Sequence, residues 1–209
     1  MKVYVVAMDS EAGCATGLME GVRERTLFGR RVVEGTLRGE SAAVVVSGIG
    51  KSNAAAAAQL AICEFGAKEI LNFGVCGGLE RGMSVGDLYE VSRAVQYDFD
   101  LAKVNGTSAG VLNERTTPYI PLAVSGRFPA KALATGDRFN DSPDDMPLLA
   151  SLGAQLRDME GAAIAHVCER SGVVCRSLKC VSDVVGADCT AQYARNLSRC
   201  LEVLGANML

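Results

Sequence analysis

The feature that most constrains the fold of this chain is a regular alternation of short apolar, β-branched runs with alanine-rich segments. The apolar runs predict mostly buried strands over residues 2–8, 42–48, 69–75, 131–136 and 173–183. The alanine-rich segments predict helices over residues 52–66 and 159–172, and a last helix is predicted over about 189–205. Strands that alternate with helices are typical of an α/β fold.

Two stretches with little helical patterning predict that the sheet is mixed rather than purely parallel. Residues 25–47 have the pattern of a two- or three-strand meander, punctuated by Gly29, Gly35 and Gly39. Residues 84–124 are rich in strand patterns and poor in helical ones. A chain of 209 residues can bury a self-sufficient core. We therefore expect a single domain over residues 1–209, a mixed β-sheet flanked by helices.

The net charge and the cysteine content limit the kinds of binding partner and the compartment that we expect for this protein. The net charge is −3 with both signs scattered along the chain, which argues against nucleic acid and anionic membranes as partners. No signal-peptide core or spanning segment is evident, so we expect a cytoplasmic protein. The eight cysteines form no CxxC pair and the chain has one histidine, so we expect buried reduced thiols and no metal site.

Two glycine-rich loops follow predicted strands and mark candidate ligand sites. The loop SGIGKSN at residues 47–53 fails the phosphate-binding pattern at Val45 and the dinucleotide pattern at Asn53, which makes a nucleoside-triphosphate loop a remote alternative. The second loop, at residues 74–87, contains Gly77, where the main chain can closely approach a ligand. A sharp bend without a ligand explains the second loop equally well.

Three carboxylates follow apolar runs, where the edge of a sheet is expected: Glu11, Glu160 and Asp183. Carboxylates that converge at strand ends suit general acid/base chemistry, because burial and neighbouring charges separate their pKa values. A solvated or helix-capping acid is the alternative for each of them. His166 lies among apolar residues of a predicted helix, so we interpret it as a packing residue and expect no serine or cysteine triad.

Taken together, five motifs resemble the nucleoside phosphorylase and nucleosidase superfamily, and most closely its 5'-methylthioadenosine/S-adenosylhomocysteine nucleosidases: SGIGKSNAAAAA, NFGVCGGLERGMSVGD, ATGDRF, DMEGAAIAHV and VSDVVG. The resemblance extends from Met1 to about Gly186, with a shortened region around residues 101–130. It implies a mixed sheet flanked by helices, a homodimer, and cleavage of the N-ribosyl bond of a small-molecule nucleoside without metal or organic cofactor.

The resemblance also implies roles for individual residues. Glu11 in AMDSE corresponds to the catalytic acid that activates and orients the attacking water. Asp183 in VSD would donate a proton towards purine N7, directly or through water, with Ser182 orienting it. Protonation helps because the leaving purine is a poor anion, and a carboxylate near the sugar stabilises an oxocarbenium-like transition state.

The binding residues follow from the same motifs. Met159 would pack under the ribose and Glu160 would accept hydrogen bonds from its hydroxyls, while Phe139 in GDRF would stack on the base. Gly77 and Lys179 complete the substrate-binding set. Lys179 stands where these nucleosidases often have arginine, and lysine cannot form the bidentate fork of arginine.

The loops favour water over phosphate as the acceptor of the ribosyl group. AMDSEAG carries two acids that would repel a phosphate dianion, and NFGVCGG carries no basic residue. We therefore expect a nucleosidase acting on 5'-thio-substituted adenosines. A nucleoside phosphorylase, a futalosine-type hydrolase and a non-catalytic nucleoside-binding protein remain alternatives, since Val75 replaces a common serine and the 5' substituent and the base are undecided.

Overall fold

The computed structural model describes residues 1–139, 143–186 and 188–207. Its strands are β1 (Lys2–Val6), β2 (Glu20–Leu27), β3 (Arg30–Leu37), β4 (Glu40–Val46), β5 (Glu69–Gly78), β6 (Leu88–Gln96), β7 (Ile120–Pro121), β8 (Ala130–Thr135), β9 (Leu156–Asp158) and β10 (Val174–Val184). Its helices are α1 (Asp9–Thr16), α2 (Lys51–Phe65), α3 (Ala102–Asn105), α4 (Met146–Ser151), α5 (Gly161–Arg170) and α6 (Cys189–Asn207), with a 3₁₀ turn at Pro143–Asp145.

The strands form one mixed sheet, part of which closes on itself. Strands β4, β1, β5 and β10 are parallel neighbours. Strand β10 also pairs antiparallel with β6, and the connection β6–β8–β9–β5 completes a closed ring of five strands. Outside the ring, β4, β3 and β2 form an antiparallel meander. The predicted mixed sheet is confirmed.

Strand β1 shows how the sheet separates two apolar layers. Val3 and Val5 pack into a core that contains residues of α2 and α5, whereas Tyr4 and Val6 pack into a second core that contains residues of α1 and α6. Successive side chains of a strand point to opposite faces of the sheet. When the side chains on both faces are apolar and buried, helices must cover the sheet on both sides. Helices α2 and α5 therefore cover one face of this part of the sheet, and helices α1 and α6 cover the other.

Helix α2 can lie close to α5 because its buried face is made of small side chains. Ala54, Ala57, Ala58 and Ala61 are all inaccessible to solvent. The two helices pack against each other. Helix α2 ends at Phe65 and is capped by Gly66, which adopts the left-handed conformation that glycine tolerates at a helix C-terminus.

The predicted strands and helices occur in the structure, with shifted bounds. The meander starts at Glu20 rather than residue 25, and Glu11, expected just past the first strand, lies inside helix α1. Six of the eight cysteines are buried, and Cys14 and Cys63 are not. Within the described residues, no helix combines the length and the apolar character that crossing a bilayer requires.

Candidate active site

A cavity opens where the carboxyl ends of β1, β5 and β10 meet strand β9. Seven of the eight residues predicted to form the site line it: Glu11, Gly77, Phe139, Met159, Glu160, Ser182 and Asp183. Lys179 does not line it and lies buried behind the wall. The structure therefore places three carboxylates, distant in sequence, around one space.

Glu11 is fixed by main-chain amides from two parts of the chain. Its Oε2 accepts hydrogen bonds from the amides of Ala7 and Met8, at 3.0 and 3.1 Å, and its Oε1 accepts one from the amide of Val75 at 3.1 Å. Gly74 permits this approach, since a Cβ atom there would lie 2.9 Å from the Cδ of Glu11. Burial raises the pKa of Glu11, although Lys179 and the three amides oppose the rise. A buried carboxyl with a raised pKa suits a general base.

Glu160 immediately precedes α5 and reaches the N-terminus of α2. Its Oε1 accepts a hydrogen bond from the amide of Gly50 at 2.8 Å, and its side chain lines the cavity. Burial and the charge of Asp158 raise the pKa of Glu160 to about 7. Its protonation state therefore changes near neutral pH.

Asp158 and Lys179 form an ion pair behind the carboxylates. The Nζ of Lys179 lies 2.8 Å from Oδ2 of Asp158, and each side chain is 2% exposed. Asp158 also accepts hydrogen bonds from the hydroxyl of Thr135 at 2.5 Å and from the amide of Gly161 at 2.9 Å. Burial alone would lower the pKa of Lys179, but Asp158, Glu160 and Glu11 raise it above its ordinary value. Lys179 is thus a charged counter-ion for the buried acids.

A strand irregularity brings Ser182 and Asp183 to the cavity together. The pairing of β10 with β5 shifts register between Val181 and Asp183. Such a bulge lets consecutive side chains serve one site, and both residues line the cavity. The hydroxyl of Ser182 lies 2.9 Å from Oδ2 of Asp183 and 3.2 Å from the carbonyl oxygen of Cys76, so its single proton can be donated to either.

Two aromatic side chains lie at the mouth of the cavity. Phe139 is 49% exposed, and its ring packs edge-on against that of Tyr193, with 5.5 Å between centroids. The hydroxyl of Tyr193 lies 3.4 Å from the sulfur of Met8. Met159 lines the same cavity. An apolar mouth above a polar floor suits a ligand with one apolar and one polar part.

Sequence analysis missed several residues of the cavity. Arg157 and Asp158 lie on the three-residue strand β9, which is too short to show a strand pattern. Asp158 did carry a signal, because it directly precedes Met159 and Glu160 in the DMEG motif. Tyr193 lies on α6, far from every glycine loop in sequence, and only the packing of α6 brings it to the cavity.

The comparisons with known proteins agree with one another. A family model described as the phosphorylase superfamily matches residues 3–205. A 5'-methylthioadenosine/S-adenosylhomocysteine nucleosidase of Halalkalibacterium halodurans is 31% identical over 204 residues, which cover 90% of this chain and 87% of that protein.

Two solved structures from Helicobacter pylori are similar along nearly the whole chain. One is a 5'-methylthioadenosine/S-adenosyl homocysteine nucleosidase complexed with a pyrrolidinol that carries a 4-amino-5H-pyrrolo[3,2-d]pyrimidine group; it has a TM-score of 0.91 and 26% identity over 99% of this chain and 95% of that one. The other is a futalosine hydrolase of strain 26695, with a TM-score of 0.91 and 26% identity over 99% and 94%.

Proposed function

Because the chain belongs to the phosphorylase superfamily, we propose that it is an N-glycosyl hydrolase that cleaves the N-ribosyl bond of 5'-thio-substituted adenosines, releasing adenine and a thioribose. One observation carries the proposal: Glu11, Glu160 and Asp183 line the same cavity. The similarity to 5'-methylthioadenosine/S-adenosylhomocysteine nucleosidases supports the choice of substrate.

In this proposal, Glu11 activates the attacking water. Its carboxylate is held by three amides, so it is oriented before the substrate arrives. Removing a proton from water makes the oxygen a better nucleophile, and this kind of catalysis is worth about 10²- to 10⁴-fold. Glu160, in its ionised form, accepts hydrogen bonds from the ribose hydroxyls. The two negative charges also stabilise positive charge that develops on the ribose.

Asp183 and Ser182 serve the leaving purine. A purine departs slowly as an anion, so a proton or a hydrogen-bond donor at its five-membered ring lowers the barrier. We propose that Asp183 contacts that part of the base, with Ser182 orienting its carboxyl group, and moves a proton to it directly or through water. Met159 packs under the ribose, and Phe139 stacks on the base.

The N-terminus of α2 supports water, rather than phosphate, as the acceptor of the ribosyl group. The N-terminus of a helix is a common site for anions. Here the amide of Gly50 donates to Glu160 at 2.8 Å and that of Lys51 donates to Asp137 at 2.7 Å. A phosphate dianion at this position would have to displace two carboxylates or lie beside them, at a substantial electrostatic cost.

We further propose that the protein works as a cytoplasmic homodimer without metal or organic cofactor. The free thiols of all eight cysteines agree with a reducing compartment. The homodimer rests on the family resemblance, and sizing the protein in solution tests it directly.

A futalosine-type hydrolase is the second candidate, because the similarity to the futalosine hydrolase structure is as strong as that to the nucleosidase. The two functions differ in the 5' substituent of the substrate. The side chains at the mouth of the cavity, Phe139, Tyr193 and Met8, could contact either an alkylthio group or a larger aromatic one.

A substrate panel tests the proposal. The purified protein is incubated with 5'-methylthioadenosine, S-adenosylhomocysteine, futalosine, inosine and uridine, and the released base is quantified. We expect adenine from the first two at rates well above those of the other substrates. Preferential turnover of futalosine would favour the second candidate, and nucleoside binding without release of base would indicate a binding protein.

A further inference from the structure

Arg157 is a cation of the cavity whose hydrogen-bond donors are not used within the protein. It lines the cavity, and its side chain is 15% exposed. Its guanidinium makes no hydrogen bond to any residue within 1–139, 143–186 or 188–207, and its one ion-pair contact there joins Nη2 to Oδ1 of Asp183 at 3.8 Å. A guanidinium has five donors in a planar fork and no acceptor. Because burying such donors without acceptors is costly, they are suited to an acceptor on a ligand.

The other carboxylates around the cavity are held by closer partners. Asp158, the next residue along β9, is in an ion pair at 2.8 Å. Glu11 accepts hydrogen bonds from three main-chain amides, and Glu160 accepts one at the N-terminus of α2 at 2.8 Å. Within the described part of the chain, Asp183 alone lies within ion-pair distance of Arg157. A ligand that contacts Asp183 therefore also meets the guanidinium.

The sheet places Arg157 and Asp183 side by side. Arg157 is the middle residue of β9 and pairs with Gly77 of β5, while Asp183 of β10 pairs with the same glycine. A Cβ atom on Gly77 would lie 2.9 Å from Nε of Arg157 and 3.0 Å from Oδ1 of Asp183. The two side chains therefore extend over one glycine, and the missing side chain there makes room for both.

Two neighbouring groups of the protein can thus address two neighbouring atoms of a purine. In the proposed function, Asp183 serves N7. The substituent on C6 lies beside N7 on the same edge of the base, and it is an acceptor oxygen in a 6-oxopurine but a donor amino group in adenine. The other neighbour of N7 is a C–H group, which offers no acceptor. The donors of Arg157 therefore match a 6-oxygen, and N7 and the 6-oxygen each have a partner of their own.

We propose that Arg157 is a specificity-determining residue that donates to the 6-oxygen of a 6-oxopurine, so that the protein also hydrolyses 5'-thio-substituted inosines. The inference rests on the proposed function and extends it to a second class of base. Water adds to C1' of the ribose, the bond from C1' to N9 breaks, Glu11 takes a proton from the water, and Asp183 supplies one to N7. The products are hypoxanthine and a thioribose. The charge of Arg157 stabilises negative charge that spreads onto the 6-oxygen as the base leaves.

The test compares two substrates that differ only in the six-membered ring of the base. Release of hypoxanthine from 5'-methylthioinosine and of adenine from 5'-methylthioadenosine is measured with the wild-type protein and with Arg157→Leu. We expect the wild type to release both bases. Loss of a hydrogen bond from a charged donor predicts that Arg157→Leu lowers the ratio of kcat/KM for the inosine to that for the adenosine about 10- to 100-fold. The ratio cancels any loss that affects both substrates alike.

Arg138→Leu is the matched control, since Arg138 also lines the cavity but pairs with Asp145 at 3.4 Å. This variant should keep the wild-type ratio within about threefold. Arg157→Lys should keep part of the ratio, because lysine retains a positive donor but lacks the planar fork. Calorimetry with the free bases gives a second readout: Arg157→Leu should weaken the binding of hypoxanthine more than that of adenine.

An equal loss for both substrates in Arg157→Leu would overturn the proposal and make Arg157 a positioning partner of Asp183. Release of adenine without release of hypoxanthine by the wild type would also overturn it, and would leave the proposed function intact. Release of neither base would refute the proposed function and the inference together. Thermal unfolding of the variants identifies a loss of fold, and Arg157→Lys then supplies the comparison.

Discussion

The Nζ of Lys179, behind the cavity wall, lies 2.8 Å from Oδ2 of Asp158, which lines the cavity, and both side chains are 2% exposed. This ion pair forms the base of the acidic site, because Lys179 also attracts the charges of Glu11 and Glu160. Lysine at this position lacks the fork of arginine, yet the short distance to Asp158 keeps its charge in place. We propose that Lys179 acts on the carboxylates and does not touch the substrate.

Replacing Lys179 with methionine should destabilise the protein by about 3–5 kcal/mol, because it leaves Asp158 as an uncompensated buried charge. Urea unfolding of both proteins measures this difference. The control is Lys131→Met, which removes a pair with Glu80 at 2.6 Å whose carboxylate is 47% exposed, and it should cost less than about 1 kcal/mol. Equal effects of the two substitutions would show that the buried pair has no special role.

Replacing Gly74 with alanine should abolish most of the activity while the fold is retained. The new Cβ would lie 2.9 Å from Cδ of Glu11, so the carboxylate must move and lose its bond from Val75. Loss of a positioned general base predicts a fall in kcat of at least about a hundredfold. Gly13→Ala is the control, because nothing lies within 4 Å of a Cβ there; it should keep full activity. Wild-type kcat in Gly74→Ala would contradict the role of Glu11.

The stability of the protein should depend on Glu160 between about pH 4.5 and 7. Its pKa is raised from 4.5 to about 7 in the folded protein, so the folded state binds more protons than the unfolded state in this window. The unfolding free energy therefore falls as pH rises through it. Relative to Glu160→Gln, the wild type should lose up to about 3 kcal/mol across the window, measured by urea unfolding at several pH values. Parallel curves for the two proteins would contradict the raised pKa.

Replacing Phe139 with alanine should raise KM for the nucleoside about tenfold and leave stability nearly unchanged. Phe139 is 49% exposed, so it contributes little to the core, whereas stacking on a base is worth roughly 1–3 kcal/mol. Steady-state kinetics and thermal unfolding measure the two effects. Phe28→Ala, at a residue 82% exposed that does not line the cavity, should alter neither quantity. An unchanged KM in Phe139→Ala would remove Phe139 from the binding site.

The sequence predicted the elements whose patterns are long and regular. Strand β10 and helix α2 were recognised because they are long, with 11 and 15 residues, and rich in apolar residues and in alanine, respectively. Helix α1 was missed since its sequence, DSEAGCAT, favours turns and caps; contacts with α6 stabilise it instead. Closure of the ring depends on β9, only three residues long, and no local pattern reveals such a strand.

The residues of the site that belong to sequence motifs could be predicted. The residues that reach the site only through long-range packing could not. The motifs identified Glu11, Glu160 and Asp183, which line one cavity in the structure. The motifs could not show that Lys179 lies behind the cavity rather than in its lining. Strand β10 is buried on both faces, so its sequence does not alternate between apolar and polar residues in a way that identifies the face towards the cavity. No sequence pattern indicated Arg157 as a residue of the site. Arg157 lies near Asp183 only because β9 and β10 both pair with the same strand, β5.

The central claim is that this site breaks an N-ribosyl bond with water. The most direct measurement is the identity of the sugar product formed from 5'-methylthioadenosine in saturating phosphate, determined by mass spectrometry alongside the rate of adenine release. We expect free 5-methylthioribose, formed at the same rate with and without phosphate. Formation of 5-methylthioribose 1-phosphate, with no adenine released when phosphate is omitted, would contradict the account.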